Sequence, residues 1–265
     1  MGDDSKQARG VDGRRQRILD YLLKETAAQV DELAERFSVS RMTVHRDLDA
    51  LSEQGYIRKV HGGARVLSFT LVETEFAQRN TIALAEKRAI ARIAADYVRP
   101  GQIVALDDSS TCTILAEQLG PILPLTIITN GLGPLERLRA DPGKTMIGLG
   151  GTYKPHYHGF FGLVCEQAIR SLRANTVFVS AQSVWENTQY HSEEEVGKIK
   201  QALRAIAEFR VLLVNSQKFG ITALHRVGDL AEFDVVITDC GISGPDLDRL
   251  REEKIEVRVA ELDQG

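Results

Sequence analysis

Two stretches carry side chains whose types and spacing can do chemistry. The first is Ser40-Arg-Met-Thr-Val-His-Arg-Asp-Leu48. Val44, Leu48 and Leu51, spaced at four and three, mark one buried face of a helix. Arg41, Met42, Thr43, His45 and Arg46 are left on the other. A cationic, hydrogen-bonding face opposite an apolar one suits the major groove of DNA, where base edges offer donors and acceptors. Ser40 is placed to cap this helix through its hydroxyl, and Asp47 is expected to form a structural ion pair with a neighbouring arginine. The second stretch is Asp107-Asp-Ser-Ser-Thr-Cys-Thr113. Ser109, Ser110, Thr111 and Thr113 surround a helix start, where N–H and hydroxyl groups cradle a phosphate. Asp107 and Asp108 repel phosphate and so belong to sugar hydroxyls or loop hydrogen bonds. The same serines and threonines also suit an ordinary capped helix, and the loop alone does not choose between the two.

The elements that must position the first stretch are legible around it. Ile18, Leu19, Leu22 and Leu23 form one apolar stripe, and Val30, Leu33, Ala34 and Phe37 a second. Phe37-Ser-Val-Ser40 is the turn between helices. Beyond the third helix, Tyr56 to Leu67 reads as a two-stranded hairpin turning at Gly62-Gly63. Arg58, Lys59, His61 and Arg65 flank that turn as candidates for phosphate contacts. Each alone also fits a solvated surface charge, because phosphate neutralisation is collective. The whole is a winged helix-turn-helix over residues 11–67.

Residues 68–85 show little periodicity and read as a linker. From Glu86 to the end, at 265, helical stripes alternate with short apolar strands. Strands are expected at Ile103–Leu106, Thr126–Thr129, Thr145–Leu149, Thr176–Ser180, Arg210–Val214, Val235–Thr238 and Ile255–Val259. Helical segments between most of them predict a mainly parallel sheet with helices on both faces, so the fold class is α/β. Small, hydroxylic, amide and glycine residues follow the strands, at the rim where such sheets bind ligands. Lys218 is placed to complete a phosphate site there, and Lys200 lies on a helix where a solvated face competes with a site role. Tyr153–Gly159 reads as a lid or partner-contact loop. Its His156 and His158 lack a third ligand at usable spacing, so no metal is expected.

Composition narrows the function. The net charge is −4, but residues 1–67 hold 12 Lys+Arg against 11 Asp+Glu, and the rest 21 against 26. The acidic excess lies outside the winged helix, so DNA affinity must come from a local patch. Cys112, Cys165 and Cys240 are far apart, and no signal peptide or membrane span is evident; a reducing cytoplasm is expected.

The spacing Arg14-x3-Ile18-x3-Leu22-x17-Ser40-x2-Thr43-Val44-His45-Arg46-Asp47-Leu48 resembles the DNA-binding signature of the DeoR family of bacterial transcription regulators. Glu86-Lys-Arg, Leu106-Asp-Asp-Ser-Ser-Thr111, Thr129-Asn130, Leu149-Gly-Gly151, Lys200-Gln-Ala202, Ser216-Gln-Lys-Phe-Gly220 and Ile237-Thr-Asp239 resemble its sensor domain. That domain is similar in fold to sugar-phosphate isomerases. The resemblance implies an operator-binding homo-oligomer, a repressor, controlled by a phosphorylated sugar or related metabolite, with no cofactor. It implies effector contacts from Asp107, Ser109, Ser110, Thr111, Asn130, Gly150, Gly151, Lys200 and Lys218. Asn215 departs from it where the family usually has aspartate, as do Val196 and Gln182–Thr188. The rival reading is a sugar-phosphate isomerase with an attached DNA-binding domain, which needs a carboxylate base; Asp107, Asp108 and Glu195 are its candidates.

Overall fold

The computed structural model describes residues 13–15, 17–19, 21–22, 25, 27–53, 57–60, 62–66 and 76–262, without the side chains of Glu53, Arg58 and Val66. It divides into two compact units, Met1–Val72 and Glu73–Gly265.

In the first unit the described residues between 13 and 25 are helical. Strand β1 (Ala27–Gln29), helix α1 (Val30–Arg36), helix α2 (Arg41–Glu53) and strands β2 (Ile57–Val60) and β3 (Gly63–Val66) follow. The apolar stripes meet in one core: Ile18, Leu22, Leu33, Val44 and Leu48 are fully buried. Ser40 caps α2 as its position requires, its Oγ accepting from the Thr43 N–H at 3.2 Å. The expected hairpin gains a third strand, because β1 pairs antiparallel with β3 and the order is β1-β3-β2. Ala27-Ala28-Gln29 is too short and too weakly patterned to announce this strand.

In the second unit the seven expected strands are all present: β4 (Ile103–Leu106), β5 (Leu125–Thr129), β6 (Lys144–Gly148), β9 (Ala174–Ser180), β12 (Ala207–Leu213), β14 (Val235–Asp239) and β15 (Val257–Ala260). They form one parallel sheet in the order β15-β14-β12-β9-β4-β5-β6. Alternate residues feed two cores. Val104, Leu106, Val211 and Leu213 pack with helices α4 (Leu84–Ala95) and α5 (Ser110–Gln118). Ala105, Val177, Val179 and Leu212 pack with α7 (Leu163–Arg170) and α8 (Glu194–Ala205). Between these lie α6 (Leu132–Leu138), the hairpin β7 (Thr152–Lys154) and β8 (Gly159–Phe161), and a small antiparallel sheet of β10 (Ser183–Trp185), β11 (Thr188–His191) and β13 (His225–Asp229). Helix α9 (Gly244–Glu252) precedes the edge strand β15.

The chain builds outward from β4 to β5 and β6, then returns to β9 beside β4 and builds outward the other way. The loops after β4 and β9 therefore diverge at the carboxyl ends of the strands, the switch point at which sheets of this kind hold a ligand crevice. Residues 76–85, within the stretch expected as linker, instead belong to the larger unit: α3 (Phe76–Arg79) buries Phe76, leaving it 8% exposed. Residues 68–75 of that stretch lie outside the described residues.

Candidate functional site

The winged helix presents its polar face to solvent. Arg41, Met42, His45 and Arg46 are exposed and Thr43 half-exposed, while Val44, Asp47, Leu48 and Leu51 point inward. Asp47 is 1% exposed and accepts from Arg14 Nε at 2.6 Å and Arg15 Nε at 3.1 Å. The Arg14 guanidinium is raised above its usual value by this hydrogen bond, against burial, with Asp47's charge assisting. Asp47 thus fixes α2 to the leading helix and reads nothing. Its removal is expected to cost the winged helix about 2 kcal/mol, below the usual 3–5 for a buried pair because both arginines reach water. Thermal melting of Asp47→Ala checks this, and an unchanged midpoint would count against the clasp.

Two cations expected on DNA already hold acidic partners. Arg41 Nε lies 2.7 Å from Asp31 Oδ1, both exposed, and Lys59 Nζ lies 2.5 Å from Asp49 Oδ1 across the gap from wing to α2. Arg65 is exposed on β3. His61 and the side chain of Arg58 lie outside the described residues.

At the crevice, Asp107 follows β4 and is fully buried. Its Oδ2 accepts from Lys200 Nζ at 2.5 Å and from the Ser180 N–H at 2.7 Å; its Oδ1 accepts from the Ser109 N–H at 3.0 Å. Burial pushes this carboxyl up, but the Lys200 charge and the hydrogen bonds from Lys200, Ser109 and Ser180 together hold it below the ordinary carboxylate value. Lys200 is 4% exposed, so a solvated face is ruled out. The pair joins α8 to the β4 and β9 ends and fixes the crevice floor. Asp108, also buried, accepts from Asn130 Nδ2 at 3.3 Å.

Ser109 is the α5 N-cap, its Oγ accepting from the Cys112 N–H at 3.1 Å. The capped-helix reading is therefore correct for Ser109. Ser110 and Thr111 are different. They form the first turn, both buried at 5% exposed, and neither hydroxyl has a hydrogen-bond partner among the described residues. Free first-turn N–H groups, the helix dipole and two uncommitted hydroxyls suit an anion. Nearby, Asn130 Oδ1 is buried with no partner among the described residues, and further along the rim so are Asn215 Oδ1 and Thr238 Oγ1. Asn215 stands at a strand end and as a departure from the family pattern, yet was not among the expected effector contacts; its buried acceptor adds it as a candidate. Lys218 Nζ donates to the Ala181 carbonyl just after β9.

The structure joins Asp107, Ser109 and Lys200 by direct bonds, adds Asn130 through Asp108, and ties Lys218 to the β9 end. Gly150 and Gly151 lie beyond β6, two strands from β4. Gly151 has φ +134°, and a Cβ there would sit 2.4 Å from the Phe161 carbonyl oxygen, so its glycine serves backbone packing.

The carboxylates an isomerase would need are committed. Asp107 is held as described, Asp108 accepts from Asn130, and Glu195 pairs with Lys154. Cys165 is pushed up to about 12 by burial and then by the charges of Asp108 and Glu166, and burial also raises Cys112, so neither thiol is activated. Among the described residues no group of three His, Cys, Asp or Glu side chains is placed to hold a metal ion, and no helix is long and apolar enough to cross a membrane.

Comparison with known proteins fits both units. Residues 14–70 match the DeoR-like helix-turn-helix domain, and residues 82–240 match the DeoR C terminal sensor domain. The chain is 31% identical to the HTH-type transcriptional regulator YgbI of Escherichia coli (strain K12), over 86% of this chain and 90% of that protein. It is 30% identical to the HTH-type transcriptional regulator GolR of Listeria innocua serovar 6a, over 94% and 98%. Among solved structures, ribose 5-phosphate isomerase A from Methanocaldococcus jannaschii aligns with a TM-score of 0.37 and 15% identity, over 50% of this chain and 53% of that one. Matched in both its units and aligned to such regulators along most of its length, the chain belongs to the DeoR family of DNA-binding transcriptional regulators.

Proposed function

We propose that this regulator is a cytoplasmic repressor that binds its operator as a homo-oligomer and is controlled by a sugar phosphate at the β4–β9 crevice. The winged helix, 11–67, reads DNA through Ser40, Arg41, Met42, Thr43, His45 and Arg46, with Arg58, Lys59, His61 and Arg65 on phosphates. The sensing domain starts within the stretch expected as linker, by Phe76 at the latest, and runs on from there. A second head multiplies effective affinity through a second half-site.

The observation that carries the effector reading is the uncommitted first turn at Ser110 and Thr111 beside the orphan acceptor Asn130 Oδ1. The turn receives a phosphate, and the acceptor receives a hydroxyl, which a sugar phosphate offers together. Asp107 and Lys200 act by shaping the floor. Lys218 closes the anionic end from the β12 side.

Lys218→Ala is expected to abolish the thermal shift that sugar phosphates produce in the parent, since only ligands selective for the folded state raise the midpoint. DNA binding should survive. Equal dissociation constants in variant and parent would remove Lys218 from the site, and turnover of any sugar phosphate would revive the isomerase reading.

A further inference from the structure

Phe76 is the first described residue after the boundary between the units at Val72 and Glu73, and its surroundings are built from the crevice itself. Its ring stacks on the His158 imidazole at 4.8 Å and 24°. A Cβ on Gly133 of α6 would lie 2.8 Å from Phe76 Cζ and 2.3 Å from Thr113 Oγ1 of α5. The ring tip thus enters a notch that exists because residue 133 has no side chain. The Phe76 N–H donates to the His156 carbonyl at 3.0 Å, and the Arg79 guanidinium lies over both the Phe76 and Tyr157 rings.

Each wall of this seat leads back to the rim. Thr113 belongs to α5, whose first turn is Ser110 and Thr111, and its hydroxyl donates to the Ser109 carbonyl at 3.0 Å. His156 and His158 lie in the β7–β8 loop, which is tied to the residues after β5. The Leu132 N–H donates to the His158 carbonyl at 2.9 Å, the Phe160 N–H to the Asn130 carbonyl at 2.8 Å, and Asn130 Nδ2 to the Phe160 carbonyl at 3.2 Å. A Cβ on Gly159 would fall 2.9 Å from Asp108 Cβ. Lys154, at the loop's start, pairs with Glu195 on α8, the helix that carries Lys200.

We propose that Phe76 is a positioning residue for regulation: its seat between α5 and the β7–β8 loop passes effector occupancy of the crevice to the chain that leads to the reading head. The inference rests on the effector site proposed above. Close-packed side chains transmit a small displacement rather than absorb it. Ordering α5's first turn and Asn130 therefore changes how firmly Phe76 is held. A plain core anchor would also be buried, but it would not link exchange at the two places.

The test is amide hydrogen exchange by mass spectrometry on the full chain, titrated with inorganic phosphate. In the parent, phosphate should slow exchange at 107–113 and, several-fold, at 76–83. In Phe76→Leu, which keeps an apolar side chain in the seat, slowing at 107–113 should persist and slowing at 76–83 should vanish. A ligand-free arm uses Gly133→Ala, which fills the notch and should speed exchange at 76–83 several-fold. Slowing confined to 107–113 in the parent would overturn the coupling and leave the effector site standing. No slowing at 107–113 would overturn the effector site, and this proposal with it. Unchanged exchange at 76–83 in Gly133→Ala would overturn the seat alone.

Discussion

Lys200→Met is expected to destabilise the larger unit by about 3–5 kcal/mol, the usual cost of breaking one side of a buried ion pair. Asp107 is 0% exposed and Lys200 4% exposed, so neither partner turns to water when the other is lost. The Ser180 and Ser109 N–H groups still donate to Asp107 in the variant, but no positive charge offsets its burial. Equilibrium denaturation of the full chain measures the loss, followed at the transition of the larger unit. A deficit below about 1 kcal/mol would show that the pair is solvated in solution. The pH dependence supplies a second check. In the parent the Asp107 carboxyl is held below its unfolded value, so its stabilisation is present above that value and lost as pH falls through the lower, folded one. In the variant burial acts without Lys200 and raises the carboxyl, so the protonated form is favoured and stability falls as pH rises. The gap between parent and variant should therefore narrow from neutral pH toward about pH 4.

The double variant Arg41→Ala/Arg46→Ala should lose about 30- to 25,000-fold in operator affinity, at about 1–3 kcal/mol for each base-reading contact removed. Fluorescence anisotropy on a duplex selected by the protein from a random pool gives the measurement, repeated across salt concentrations. If both arginines sit on phosphates instead, the loss comes mainly as a salt slope shallower by about 2. Binding that matches the parent in strength and slope would remove the exposed face of α2 from the DNA. Arg41 should contribute less than Arg46 at low salt, because Asp31 must release it first.

The sequence made the large features plain for physical reasons. Val, Ile and Leu runs bounded by polar turns mark strands buried on two faces, which is why all seven strands of the parallel sheet were visible. The α2 face was equally legible, since Val44, Leu48 and Leu51 leave only one way to orient Arg41, His45 and Arg46. Short polar strands escaped. Ala27–Gln29, Thr188–His191 and His225–Asp229 gain their strand character from partners distant in sequence, and carry no alternation strong enough to show it alone. Site residues divided in the same way. Ser109 and Ser110 were visible together, but one caps the helix while the other's hydroxyl has no partner among the described residues, and only geometry separates them. Lys200 reaches Asp107 across 93 positions, so a lysine on a helix gave no sign of its buried partner. Phe76 lay in a stretch with no periodicity because its seat is assembled from α5, α6 and the β7–β8 loop.

The carboxylates of Asp31 and Asp49 already occupy Arg41 and Lys59 in the absence of DNA. Docking on a duplex is then an exchange of one anion for another, with no gain in the number of neutralised cations. If these cations meet phosphate, counterion release at random sequence gains correspondingly less from them. Both pairs are exposed, so each acid holds its cation by no more than about 1 kcal/mol, a small toll that any phosphate contact by Arg41 or Lys59 has to meet first.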